Sequence, residues 1–220
     1  MSVVVEKTDS PERTQTNAEK TLPKGWRWVR LGDVCEARTG TSDPSSRPDE
    51  LFYYVDIGSV DNVRKRIIEA KRLLGKDAPS RARQVICKGD VLVSTTRPNL
   101  NAVATVPSDL DGQVCSTGFC VLRPRSDLDA TFLFFHVQSP AFIESLSDLV
   151  KGALYPAVTD RQVLAQPIPL PPLSEQKRIA ELLSDQMAQV QQARNALQEQ
   201  LLAAAALPAA LLRQAFSGGT

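Results

Sequence analysis

Histidine is almost missing from this chain: His136 is the only one in 220 residues. Nucleophilic catalysis of the Ser–His or Cys–His kind would have to pass through that one imidazole. The four cysteines, Cys35, Cys87, Cys115 and Cys120, contain no C-x-x-C pair, so the usual zinc sites are excluded as well. Neither metal nor cofactor is expected. Strong net charge is also lacking, at +1, so any basic surface must be local. No apolar run reaches membrane length, and Val3–Val5 is too short for a signal peptide. A membrane partner is therefore not expected. The setting that fits is a reducing cytoplasm with the cysteines as small buried hydrophobes. G-x-G-x-x-G, P-loop, G-x-S-x-G and H-E-x-x-H motifs do not occur. The Asn/Asp-Pro-Pro-Tyr/Phe motif of adenine methyltransferases is absent too, because Leu170-Pro171-Pro172-Leu173 lacks its polar residue and its aromatic.

What the chain does contain is organised around its last fifth. Pro169, Pro171 and Pro172 hold residues 169–173 extended, since a residue before proline is pushed out of the helical region. A long helix over 174–216 follows, with Ser174 placed to cap it and Glu175 suited to the positive end of its dipole. Ile179, Leu183, Val190, Leu197 and Leu211 recur at helical spacing, and Met187 and Leu201 widen the stripe. About 43 residues make a rod of roughly 60 Å, longer than a small domain is wide. Such a stripe calls for a partner helix. Pro208 should bend the rod near its end. Residues 217–220 read as a glycine-containing tail.

Residues 1–21 are polar and aperiodic, and read as a disordered leader. Residues 22–168 carry the pattern of a folded head. Trp26–Leu31 resembles a sheet edge; Phe52–Ile57, Val91–Val93 and Gly118–Leu122 read as strands, and Asp129–Gln138 and Pro140–Val150 as helices. Without a strict βαβ rhythm, the fold class expected is α+β with a mixed sheet.

Charge is uneven within that head. Between Arg64 and Arg97 ten cations face only Glu69, Asp77 and Asp90. Arg64, Lys65, Arg66, Lys71, Arg72, Arg81 and Arg83 form a candidate phosphate-facing patch, where each neutralised phosphate releases counterions; a plain solvated surface is the alternative. The loop Ser94–Asn101 follows, and its Arg97, Asn99 and Asn101 suit base edges, arginine to guanine and asparagine to adenine. A second loop, 151–159, offers the cation Lys151 and the aromatic Tyr155. A competing pattern is Pro48-Asp49 with Glu69-Ala70-Lys71, the loose spacing of metal-dependent nucleases. Asp49 lies in a loop-like stretch, however, and Glu69 sits among cations.

Several segments together resemble the DNA specificity subunits of type I restriction-modification systems. Leu22-Pro23-Lys24-Gly25-Trp26 with Val29–Val34 resembles the opening of a target recognition domain, and Gly89–Ser94 with Ser116–Phe119 its central strands. Ile168–Ile179 resembles the family's hinge and spacer helix, and Leu212–Gly218 its close. The resemblance implies a non-catalytic subunit that reads double-stranded DNA while a separate modification subunit methylates it, with a restriction subunit as a further possible partner. Family members carry two recognition domains and two spacer helices, whereas this sequence has one of each. The helix stripe then implies a second copy of the chain, paired as an antiparallel coiled coil and reading a bipartite inverted-repeat target. The readings that compete are a nuclease using Asp49, Glu69 and Lys71, and a coiled-coil adaptor whose head binds protein.

Overall fold

The computed structural model describes residues 22–36 and 39–217. The expected leader over 1–21 and the last three residues of the tail lie outside the described residues. In chain order the elements are β1 (Arg27–Arg30), α1 (Leu31–Val34), β2 (Leu51–Val55), β3 (Val60–Asp61), β4 (Arg66–Ile67) and β5 (Lys71–Leu74). Then come β6 (Ala82–Val85), β7 (Val91–Ser94), β8 (Val103–Thr105), β9 (Val114–Ser116) and β10 (Phe119–Leu122). The chain closes with α2 (Ala130–His136), α3 (Pro140–Asp148), α4 (Asp160–Leu164), β11 (Pro167–Leu170) and α5 (Leu173–Phe216).

Three sheets form, in the orders β10-β7-β8-β4-β3, β5-β2-β9-β6 and β1-β11. The first two are mixed, because β4 runs parallel to β8 and β2 parallel to β9. The head is thus α+β with mixed sheets, as the irregular element order requires. Strand β7 shows why the central sheet is covered on both faces. Val91 and Val93 point into a core shared with α1–α4 and β11, while Leu92 points into a second core facing β2 and Ile86. Strand β10 divides the same way, Cys120 and Leu122 to the helical side and Phe119 and Val121 to the other. Period-two alternation with both sets apolar is what a doubly covered strand demands. Asp90, 1% exposed, closes the end of this pair: its carboxylate takes two hydrogen bonds of 2.8 Å from Arg123 and one of 2.7 Å from the Cys87 N–H.

Asp129 caps α2 by accepting from the N–H groups of Thr131 and Phe132. His136, in the last turn of that helix, stands edge-on to Phe142 and its Nε2 lies 3.3 Å from the Pro167 oxygen. Burial lowers its pKa from 6.5 to about 4, against a small opposing pull from Pro167. Above pH 6.5 the imidazole is neutral folded or unfolded and costs nothing. As pH falls from 6.5 towards 4, only the unfolded chain takes up the proton, so stability drops by up to about 3 kcal/mol. Comparing denaturant midpoints of the wild type and His136→Gln across that window should show a smaller acid loss in the variant.

The rod is rooted differently from the expectation. Helix α5 begins at Leu173 with Pro172 at its N-cap and no side-chain cap, so Ser174 sits inside the first turn rather than capping it. The proline segment is not a free hinge either, since Pro169 and Leu170 belong to β11 and pair with Trp28 and Arg27. Gln176, only 1% exposed, ties rod to head. Its Oε1 accepts from the Asp129 N–H (2.8 Å), and its Nε2 donates to the Asp127 and Pro171 carbonyls (2.9 Å each). Ala180 and Ile179 seat on the helical core, so Ile179 faces its own head and leaves the expected dimer stripe. The helix continues through Pro208. Beyond Ala180 no described residue of α5 is buried, and Met187 and Val190, which line a cleft against Phe134 and Phe135, are the last of the stripe to be more than half covered. Met187, Val190, Leu197, Leu201 and Leu211 stand 43–68% exposed.

Candidate nucleic-acid interface

Strand register places one set of strand ends together. Phe119 pairs with Ser94, Val103 with Val93, Ala82 with Ser116, and Lys71 with Tyr54. The ends of β2, β7 and β9 therefore meet the beginnings of β5, β6, β8 and β10 along one rim. The β9–β10 turn binds the rim across both sheets: Thr117 N–H donates to the Arg81 carbonyl (3.0 Å), and the Thr95 N–H and hydroxyl both donate to the Gly118 carbonyl (2.9 Å).

Both candidate loops lie on this rim and are joined to each other. Arg97 N–H donates to the Pro156 carbonyl (2.8 Å), Val158 N–H donates to the Thr95 carbonyl (2.9 Å), and Thr96 bridges Ala157. The tip of the β3–β4 hairpin closes on the same place. Asn62 Nδ2 donates to the Leu100 carbonyl (3.2 Å), and Lys65 Nζ donates to the Asn101 carbonyl. The three non-glycine residues with positive φ among those described, Lys65 (55°), Arg97 (50°) and Asn101 (51°), all meet at this junction. Left-handed backbone at such residues costs about 1–3 kcal/mol each and persists only where the surroundings over-determine it. The rim loops are thus held, not free.

The expected DNA-facing residues separate into two groups. Arg66, Arg72, Arg81, Arg97, Asn99, Lys151 and Tyr155 are exposed, and no side-chain partner holds them among the described residues. Arg64 pairs with Asp61 (3.4 Å), Lys71 with Asp56, and Arg83 with Asp43 (2.7 Å). The Asp56 bond raises the Lys71 pKa, so that ammonium stays charged. Exposed pairs of this kind are worth ~0–1 kcal/mol and can be exchanged for phosphate. Two residues leave the list. Lys65 is half-buried, desolvation lowers its pKa, and its ammonium serves the hairpin junction. Asn101 spends its Nδ2 on the Gln138 carbonyl (3.1 Å), and its Oδ1 is buried without a hydrogen-bond partner. Neither was readable as structural, because a polar residue beside a cation run looks alike whether it faces outward or inward.

The cations are not one continuous patch. Arg64, Lys71, Arg81 and Arg97 lie at or beside the rim, Arg72 and Arg83 one step in, and Arg66 farther in, level with Thr105 and Val91. Sequence reasoning missed Leu154, 87% exposed next to Tyr155 at 82%. It also missed the β9–β10 turn, whose Thr117-Gly118 pair between two apolar runs was the available signal.

The nuclease residues do not converge. Lys76 N–H donates to the Pro48 carbonyl (3.0 Å) and Gly75 N–H to the Glu50 carbonyl (2.9 Å), which sets Asp49 beside the far end of β5. Lys71 starts that strand at the rim, its ammonium on Asp56. The pattern is therefore split across the length of the sheet, and no group of three or more His, Cys, Asp or Glu side chains gathers among the described residues. No helix among them is long and apolar enough to cross a membrane.

A family profile described as the type I restriction modification DNA specificity domain matches residues 23–202. The type I restriction enzyme HindI specificity subunit of Haemophilus influenzae is 26% identical over 162 residues, 72% of this chain and 34% of its own length. Among solved structures, the HsdS subunit from Thermoanaerobacter tengcongensis superposes with a TM-score of 0.76 at 45% identity, over 91% of this chain and 50% of that one. A chain from a study of complex assembly and conformational transition of the type I R-M system gives a TM-score of 0.80 at 44% identity, over 89% of this chain and 50% of that one. The chain spans about a third of the curated relative and half of each solved chain.

Proposed function

The chain belongs to the type I restriction modification DNA specificity family, and from that premise we propose that it is a single-reader, non-catalytic specificity subunit that works as a homodimer. Residues 22–170, with β11 paired to β1, form the reader, 171–172 the connection and Leu173–Phe216 the spacer and pairing helix. Two chains pair antiparallel through Leu183, Met187, Val190, Leu197, Leu201 and Leu211, holding two readers apart on an inverted-repeat target. The same rods dock the modification subunit, which methylates, and any restriction subunit that joins the complex.

The observation that carries this reading is the rim. It gathers Arg81 and Arg97, which no side-chain partner holds among the described residues, the exposed Asn99 and Tyr155, and exchangeable Arg64 and Lys71 on a backbone fixed by cross-loop hydrogen bonds. Cations that position a duplex, set beside polar groups that reach base edges, are what specific DNA binding needs. The uncovered stripe on α5 supplies the argument for a second copy. Purified chain should bind duplex DNA with a steep salt dependence and transfer no methyl group until the modification subunit is added. Methylation or cleavage by the chain alone, or binding indifferent to salt, would overturn the proposal.

A further inference from the structure

Leu154 and Tyr155 are the two most exposed large apolar side chains of the head, at 87% and 82%. They occupy the tip of a turn that leaves α3 through Gly152, whose φ of 82° suits glycine. The turn returns through Pro156. Three connections fix the tip beside the reading loop: Arg97 N–H to Pro156, Val158 N–H to Thr95, and the Thr96–Ala157 bridge. Cations stand on either side, Lys151 within the same turn and Arg97 on the adjoining loop, both exposed. A protein interface of ordinary kind would gather a wider apolar area than two adjacent side chains. A narrow apolar tip flanked by two exposed cations is instead the shape of a wedge for stacked bases.

We propose that Leu154, with Tyr155 against it, enters the duplex at one base step of each half-site and partly unstacks it. The inference rests on the DNA-reading proposal above and adds a residue and an action to it. Leu154 fills the step, Tyr155 stacks on the base beside it, Lys151 holds a flanking phosphate, and Arg97 keeps its place at the adjoining base edge. Specificity then includes the ease of opening that step, so pyrimidine–purine steps, the most easily unstacked, are favoured there.

Nick scanning tests this on a target that the protein itself selects. A duplex enriched from a random pool by the wild-type chain is rebuilt with a single-strand nick at each successive phosphodiester, and affinity is measured for each. A nick at the wedged step removes most of the cost of opening it. Wild-type binding should tighten about tenfold there, once per half-site. Leu154→Ala and the double variant with Tyr155→Ala should bind the intact duplex more weakly and lose that gain, while Leu154→Met keeps it. These side chains are exposed, so thermal unfolding should be unchanged in every variant. If the chain binds the duplex but no nick tightens it, or if Leu154→Ala gains as much as wild type, the wedge is refuted and the DNA reader stands. If no duplex is enriched at all, both proposals fall.

Discussion

Replacing Leu183, Val190 and Leu197 with aspartate should turn a dimer into a monomer with an intact head. Along one seam these three residues occupy successive heptad positions, and pairing in an antiparallel dimer would desolvate all six copies at once. Fully burying an exposed Leu or Val side chain is worth ~1.5–3 kcal/mol, and because these three are already partly covered in the single chain the apolar part of the seam from these positions is about 5 kcal/mol. Aspartate removes that gain and adds six carboxylates that repel one another. The head should survive, because its attachment lies elsewhere, at Gln176, Ile179 and Ala180. Light scattering at tens of micromolar gives the mass, and an unchanged unfolding midpoint confirms the head. A wild-type chain that stays monomeric under those conditions would contradict the homodimer.

Two kinds of arginine on the head should fail in different ways. Arg72 lies on β5 one step in from the rim and Arg66 farther in, level with Thr105, and their expected contacts are phosphates. Arg66→Ala or Arg72→Ala should weaken binding to all sequences alike and lower the salt-dependence slope by ~1 per lost contact. Arg97 and Asn99 sit on the reading loop itself. Arg97→Ala or Asn99→Ala should cost ~1–3 kcal/mol on the preferred site and relax the choice of base at one position. Binding to a randomised half-site library at two or more salt concentrations separates the two behaviours. Asn101→Ala is the control that the structure adds. Because its amide is turned inward onto Gln138, it should act through stability and leave the base preference unshifted.

The sequence made the long elements legible and the small ones opaque. The α5 stripe, the helix starting at Asp129 and the buried runs at Val91 and Phe119 each repeat one physical signal over several residues. Strands β3, β4, β8 and β9 are two or three residues long and exist only because neighbours across the sheet complete them, so no local period announces them. The root of the rod was misread for a related reason. Ser174 has the chemistry of a cap, but Pro169 is drawn into β11, Pro172 takes the N-cap position, and a buried glutamine two residues beyond Ser174 takes over the anchoring. At the rim, the two loops were visible separately as polar, glycine- or proline-bearing stretches. That they are sewn together, and that Lys65 and Asn101 are used inside the junction, depends on contacts between residues 36 to 63 positions apart. One sequence does not carry that information.

The central claim is that α5 measures the distance between two identical readers. Inserting one heptad after Ala203, beyond Leu201 where the rod still faces Asp61, Val63 and Arg64 of the head, lengthens each helix by ~10 Å without touching the rim. Duplexes selected by the wild-type and lengthened chains are then sequenced and compared. The account predicts two identical, inverted half-sites in both pools, with a longer unread spacer in the second and the half-sites unchanged. An asymmetric target, or a spacer of the same length in both pools, would contradict it.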